Sequence, residues 1–310
     1  MRILLVADVN SWALDLTAKY IQKSIPCDIA YVSGEPRFNE NMLNEYDHVH
    51  AMNWLDLQTL AGHPRVTAGV CSHGFELKWL GVARKELPKF KKLVCISKIL
   101  YDRARKYNQN VHYISNGVDT ELFKPSDKQN EVFTVGFCGQ KTDGGFGEKK
   151  NKEKRPIWDV KGYELILQPL QKRLEGIVVF KVLTNDYTNA IPYEDMPKWY
   201  EDIDVLICTS LYEGCPFPVL EAGAYGKPVI STHVGIVPEL VKHGTNGFRL
   251  GTVRSRGDIP QVIDSFEHYI IQLKVDSNLC KYMGNNMREA VMKWDWKYQI
   301  PKWKEFFGCD

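Results

Sequence analysis

The chain has 310 residues, of which 44% are hydrophobic and 25% charged, with a formal net charge of +2. That composition gives room for two domains of ordinary size and excludes a disordered or fibrous chain. The near-neutral balance names no polyanionic partner for the molecule as a whole, and no apolar run approaches the roughly 20 residues that cross a bilayer.

In chain order, "RILLVAD" (2–8) meets an Asp too early for a secretory leader and is expected to be a first strand. Further strand candidates are "CDIAYV" (27–32), "HVHAM" (48–52), "VTAGVCS" (66–72), "LVCIS" (93–97) and "VHYISN" (111–116). Between them "SWALDLTAKYIQKS" and "SKILYDRARKY" have helical spacing, and each begins with a Ser suited to cap the helix. Strands alternating with helices predict a parallel sheet covered on both faces. After a polar, Pro-containing segment near 124–130 the pattern restarts. "FTVGFCG" (133–139), "VVFKVLT" (178–184), "DVLICTS" (204–210), "KPVISTH" (227–233) and "GFRLG" (247–251) are the strands of a second sheet. The expected division is a Rossmann-like domain over 1–124, a second Rossmann-like domain over 125–290, and an aromatic helical tail over 291–310 that packs back on the first. None of the eight cysteines forms a CxxC pair, and most sit in apolar runs. They are expected to be small core residues, with neither disulfides nor a zinc site.

Ligands of such sheets sit at the C-terminal ends of the strands. There, after "DVLICTS", stands "EGCPFPVLEAGAYGKPVIST" (213–232). Pro218 suits the first turn of a helix, and Gly226 with Pro228 suits its stop, so a helix is expected from about 218 to 225. Glu213 then lies on the loop and Glu221 in the early turns, both able to face one mouth. Free N–H groups at the helix start favour phosphate. Carboxylates beside a phosphate are better used on neutral hydroxyls, and a diphosphate between two hydroxyl-bearing groups describes a nucleotide-sugar.

The stretch also resembles a known family. Glu, seven residues, Glu is the signature of retaining GT-B glycosyltransferases, and "EGCPFPVLEAGAYGKPVIST…PELV…NGF" is similar to family 4 in particular. "VCISKILYDRARKY…VHYISNGVDTELFKP", "VGFCG" (135–139) followed by Lys161-Gly162, and "YEDMPKWYEDIDVLICTS" resemble further elements of that family. The resemblance covers about 93–250 and thins over 1–90, where "HG" at 73–74 carries it. It implies an α/β GT-B fold, two Rossmann-like domains facing across a cleft. It also implies Glu221 on the ribose hydroxyls, Glu213 on the transferred sugar, Lys161 with Arg155 or Lys154 on the diphosphate, and Gly139 where the backbone approaches it. Main-chain groups from Cys215 through Phe217, Pro218, Val219 and Leu220 would complete the donor site. His73 would reach the donor sugar from the first domain, so Glu213, His73 and Lys161 form the implied catalytic set. Two departures stand out: "VADVNSWALDL" lacks the usual glycine-rich loop, leaving Asn10, Ser11 and Trp12 to shape that wall, and the lysine-glycine site is preceded by a long insertion, "QKTDGGFGEKKNKEKRPIWDV".

The expected activity is retaining, metal-independent transfer from a UDP- or GDP-sugar to a hydroxyl acceptor, with no cofactor beyond the donor. A glycan or lipid-linked glycan is the favoured acceptor. A modified base in DNA, a non-catalytic nucleotide-sugar-binding protein and a GT-B epimerase are alternatives. Residues 84–106 carry nine positive and two negative side chains (9 − 2 = +7), and 141–155 carry six and three (6 − 3 = +3). Either stretch is a solvated face, or a contact for an anionic membrane or nucleic acid. The expected location is cytoplasmic, with a peripheral membrane contact as an option.

Overall fold

The apolar run that begins the chain forms Ile3–Val9 (β1), and its first five residues are buried. In the computed structural model, which describes residues 1–10, 13–72, 76, 79–141, 159–184 and 191–309, every strand candidate forms a strand. The first sheet adds Asp28–Ser33 (β2), His48–Ala51 (β3), Val66–Val70 (β4), Leu93–Cys95 (β5) and Val111–Tyr113 (β6) in the order β2-β1-β3-β4-β5-β6. All its pairings are parallel. Helices Ala13–Gln22 (α1), Leu80–Glu86 (α2) and Lys98–Ala104 (α3) lie between the strands. Ser97 takes the extended N-cap conformation before α3 but makes no capping bond, and its Oγ is buried without a partner. Ser11, the corresponding candidate before α1, lies outside the described residues. Asn10 accepts a hydrogen bond from Lys19 Nζ at 3.2 Å.

The second sheet is built from Thr134–Cys138 (β7), Val179–Leu183 (β8), Val205–Cys208 (β9), Val229–Ser231 (β10) and Gly247–Arg249 (β11), ordered β11-β10-β9-β7-β8 and again parallel. Its helices are Gln168–Arg173 (α4, entered through a π-helical turn, Tyr163–Leu167), Met196–Glu201 (α5), Phe217–Ala224 (α6), Val237–Leu240 (α7), Ile259–Val275 (α8) and Ser277–Val291 (α9). A final helix, Trp296–Phe307 (α10), follows.

Two units result: Met1–Gly117 with Trp294–Asp310, and Val118–Lys293. The division falls before the expected 124–125 because residues 118–124 are held by the second unit. Phe123 is fully buried with its ring edge-on to Tyr193 (5.5 Å) and Tyr200 (5.8 Å). The Arg288 guanidinium donates to the carbonyls of Thr120 (2.9 Å), Phe123 (2.7 Å) and Ala224. All eight cysteines carry free thiols, three of them buried. Among the described residues no helix is long and apolar enough to cross a membrane.

Helix α10 completes the first unit. Trp296 stacks on Tyr20 of α1 at 4.7 Å and 9°. A Cβ on Gly117 would sit 2.4 Å from Trp296 Cδ2, so a side chain there is excluded by the indole. Further along, Trp303, Phe306 and Phe307 close over two histidines of β3. His50 is fully buried, with Nδ1 2.8 Å from Thr67 Oγ1, and His48 Nε2 is 2.7 Å from the same hydroxyl. The His50 ring meets Trp303 edge-on at 5.3 Å, and His48 meets Phe307 at 5.0 Å. Lys92 Nζ donates to the Phe306 carbonyl at 3.1 Å.

Burial, reinforced by the Lys92 and Lys91 ammoniums, holds His48 down to about 4. Burial pushes His50 well below the ordinary histidine range, with His48 adding to the effect. Both rings are neutral in the fold, whereas the unfolded chain takes up their protons below about 6.5. Their contribution to stability is therefore complete above pH 6.5 and is lost progressively as pH falls towards 4. Thermal unfolding followed from pH 7.5 to 4.5 should show a falling Tm across this window. His48→Phe, which keeps an aromatic ring against Phe307, should flatten part of that slope; an unchanged slope would rule out the His48 contribution.

Candidate functional site

Four segments of the second unit meet at the C-terminal edge of its sheet: the end of β7, the 159–162 turn, the 209–213 loop after β9, and the start of α6. Asp159 organises the second of these. Its carboxylate accepts from the N–H groups of Tyr163 and Leu165, both at 2.8 Å, which caps the π-helical turn. Burial raises its pKa against those bonds. Leu211 N–H then donates to the Val160 carbonyl at 2.8 Å, and Thr209 Oγ1 to the Lys161 carbonyl at 2.6 Å. Gly162 follows with φ +66°, and a Cβ there would stand 2.2 Å from the Thr209 carbonyl oxygen. Only glycine permits both that conformation and that approach.

The stitched segments put the Lys161 ammonium 2.5 Å from Glu213 Oε1, and Ser210 Oγ donates to the same oxygen at 2.8 Å. Burial pushes the Lys161 pKa down, but the Glu213 charge and hydrogen bond outweigh it and the net direction is up. Gly139 lies beside this pair: a Cβ on it would meet Phe137 Cζ at 3.2 Å and Lys161 Cδ at 3.7 Å. Gly235, at φ +49°, presses against the Gly214 carbonyl and the Glu213 Cβ from the other side.

Glu221, the second of the two carboxylates expected to be able to face one mouth, sits in different surroundings from Glu213. It is only 4% exposed, on an otherwise uncharged helix, and its Oε2 accepts a 2.6 Å hydrogen bond from the Tyr200 hydroxyl. Burial raises its pKa to about 7, against the lowering effect of Tyr200. A lone carboxylate inside an apolar helix is costly unless it is hydrogen-bonded, so its presence needs a use other than packing. The α6 start also offers fewer donors than a regular helix: Pro216 and Pro218 have no N–H, and Val219 N–H donates to the Pro216 carbonyl at 3.1 Å. Cys215, Phe217, Val219 and Leu220 are buried, and Pro218 is partly exposed.

The structure thus brings Gly139, Lys161 and Glu213 together and sets Glu221 behind them on α6. His73, Lys154 and Arg155 lie outside the described residues, as do Ser11, Trp12 and nearly all of the 141–155 stretch. The sequence reading missed Tyr200, Ser210 and Asp159. Ser210 ends the strand run three residues before Glu213, and "WDVKG" places Asp159 at a capping position; both signals were present. Nothing in "MPKWYED" marks Tyr200 as a carboxylate partner.

In the first unit, the ends of β1 and the turn after β3 bring Asp8 and Asp56 within electrostatic reach. Burial raises both, Asp56 to about 7 with Asp8 adding to the effect. The basic stretch 84–106 is partly consumed internally: Glu86 takes Lys89 at 2.7 Å and Lys85 at 3.6 Å, and Arg103 pairs with Glu76 at 2.5 Å. Among the described residues no three His, Cys, Asp or Glu side chains converge as a metal site.

Residues 184–290 match the family model described as Glycosyl transferases group 1. The chain is 26% identical over 211 residues to an uncharacterized glycosyltransferase of Methanocaldococcus jannaschii, covering 66% of this chain and 56% of that protein. It is 22% identical over 271 residues to the UDP-Gal:alpha-D-GlcNAc-diphosphoundecaprenol alpha-1,3-galactosyltransferase of Escherichia coli, covering 75% and 66%. The chain spans less than two thirds of the length of either relative. Anabaena HepE, solved in complex with UDP-glucose, superposes with a TM-score of 0.75 at 15% identity, covering 99% of both chains. That likeness shows the fold: two parallel-sheet α/β units of the GT-B type.

Gly162→Ala should cost at least about 2 kcal/mol through its positive φ and the clash with the Thr209 carbonyl. It should also separate Lys161 from Glu213. A Tm equal to that of the parent protein would show that the turn is not constrained as described.

Proposed function

We propose that the protein is a retaining, metal-independent glycosyltransferase that moves a sugar from a nucleoside-diphosphate sugar to a hydroxyl of a glycan or lipid-linked glycan. The single observation that carries this reading is the Lys161–Glu213–Ser210 cluster, held at the end of β9 by a turn that admits only glycine. The group 1 glycosyltransferase match over 184–290, which includes Ser210, Glu213 and Glu221, and the GT-B fold support it.

Lys161 neutralises Glu213. An incoming diphosphate would draw the ammonium to itself, because phosphate is the stronger acceptor, and the positive end of α6 would add to the attraction. Glu213 would then be left with Ser210 and be free to accept from hydroxyls of the transferred sugar. As the leaving diphosphate gains charge, Lys161 stabilises it; this takes the place of a divalent cation. Glu221 would accept the ribose hydroxyls with the carboxylate capacity that Tyr200 leaves unused. Retention of configuration rests on the Glu213–Glu221 spacing and its resemblance to the retaining family. A UDP-sugar is the first donor to test, since HepE was solved with UDP-glucose, and the E. coli relative's name specifies a lipid-diphosphate-linked acceptor.

Glu221 changes charge near pH 7, so donor affinity should rise with pH through that point as the carboxylate forms. Glu221→Gln should weaken UDP binding by roughly 10- to 100-fold, the worth of a charge-assisted hydrogen bond, and abolish that pH dependence. Calorimetric titration between pH 6 and 8 reads both effects, and a variant that binds as the parent does would remove Glu221 from the donor site. Transfer should survive EDTA and fall about 10²-fold or more in Lys161→Met. Proton NMR of the product should show the anomeric configuration of the donor; inversion would overturn the retaining assignment.

A further inference from the structure

At the other end of the second sheet, a cavity of about 610 Å³ opens where no role has been assigned. Phe133, Asp204 and Pro228, which stand immediately before β7, β9 and β10, form its floor, whereas Gly139 and Ser210 follow β7 and β9. The cavity is therefore distinct from the candidate donor site. Its walls are the 125–130 segment, the turn after α6, and the first turns of α9, all in one unit. The walls are locked. A Cβ on Gly284 of α9 would lie 2.1 Å from the Gly226 carbonyl oxygen, and one on Gly226 would lie 3.2 Å from Pro125 Cγ.

The lining is rich in donors. Lys128, Lys227 and Lys281 contribute ammoniums, and Asn130, Asn278 and Asn285 contribute amides. Lys128 is already engaged by Asp202 at 2.5 Å. Lys227 is not: half-buried, it leans over the Tyr225 ring at 5.5 Å, and among the described residues its ammonium has neither an ion pair nor a hydrogen bond. Two carboxylates line the cavity: Asp127, on the 125–130 wall, and Asp204, which is committed elsewhere because it accepts from Thr134 N–H at 2.7 Å and from Asn130 Nδ2 at 3.2 Å. Burial lowers the Lys227 pKa, and the fields of Asp204, Glu201 and Asp202 do not make up the difference. A partly desolvated cation in a cavity of ligand size is a deficit that a bound anion would fill.

We propose that this cavity binds a small phosphate-bearing anion, with Lys227 as its principal ligand and Lys281 and Asn278 completing the shell. Tyr225 and Lys227 directly follow α6, the helix that carries Glu221, and the Tyr225 hydroxyl reaches Glu201 Oε1 at 3.4 Å, one residue from Tyr200. Occupancy would thus be felt next to Tyr200, the hydrogen-bond partner of Glu221. The proposal stands independently of the donor assignment.

The test is titration of the full chain with inorganic phosphate at constant ionic strength, in the presence of saturating UDP, with thermal unfolding as the readout. Tm should rise saturably in the parent protein and equally in Lys161→Met. In Lys227→Met the apparent affinity should fall about tenfold or more, the loss expected of one charge-assisted contact, and Lys227→Arg should restore it. Should Lys227→Met fail to fold, Asn278→Asp, at an exposed position on α9, should weaken the response in its place. Glycerol 1-phosphate run alongside distinguishes the ligand source: a tighter response than phosphate assigns an organic phosphate ester, and an equal one assigns free phosphate. No saturable response in the parent, an unchanged response in Lys227→Met, or a response removed by Lys161→Met would each overturn the proposal.

Discussion

The candidate site depends on one close approach, that of the Gly162 backbone to the Thr209 carbonyl. The turn that carries Lys161 comes from the segment before α4, and the loop that carries Glu213 comes from the end of β9; nothing in chain order brings them together. The left-handed glycine and the Thr209 and Leu211 hydrogen bonds do so. An ammonium and a carboxylate held by backbone in this way do not need side-chain entropy to be spent on finding each other, which is the cost that makes mobile surface pairs weak.

Glu221 shows the complementary strategy. A surface carboxylate stays ionised at neutral pH and is screened by water. One buried in α6 and tied to a tyrosine sits near its own titration point, so its charge responds to whatever enters beside it. The two glutamates share a motif but occupy opposite regimes, one neutralised by a lysine and one by burial.

The strands were legible because each is a short apolar run bounded by polar or Gly/Pro residues, and parallel strands buried on both faces leave that trace. "VTAGVCS" and "DVLICTS" announce themselves without reference to any partner. Helix α6 was legible for the same local reason, through Pro218 and Gly226. What local pattern could not show was orientation. Glu221 lies against Tyr200, a contact between residues 21 apart that no spacing rule encodes. Nor could local pattern show why residue 117 is a glycine: the lack of a side chain there is required by Trp296, far along the chain. Likewise the 118–124 segment belongs to the second unit through Arg288, whose three carbonyl contacts have no sequence signature.

That same Trp296–Gly117 contact bears on how the chain is made. The first unit is assembled from two stretches of sequence with the whole of the second between them. A ribosome that delivers residues in order therefore presents the six-stranded sheet with His48 and His50 uncovered, and must finish the second unit before α10 is synthesised. For that interval the histidine-bearing face of β3 is open, and it is sealed by a helix made only after the whole second unit.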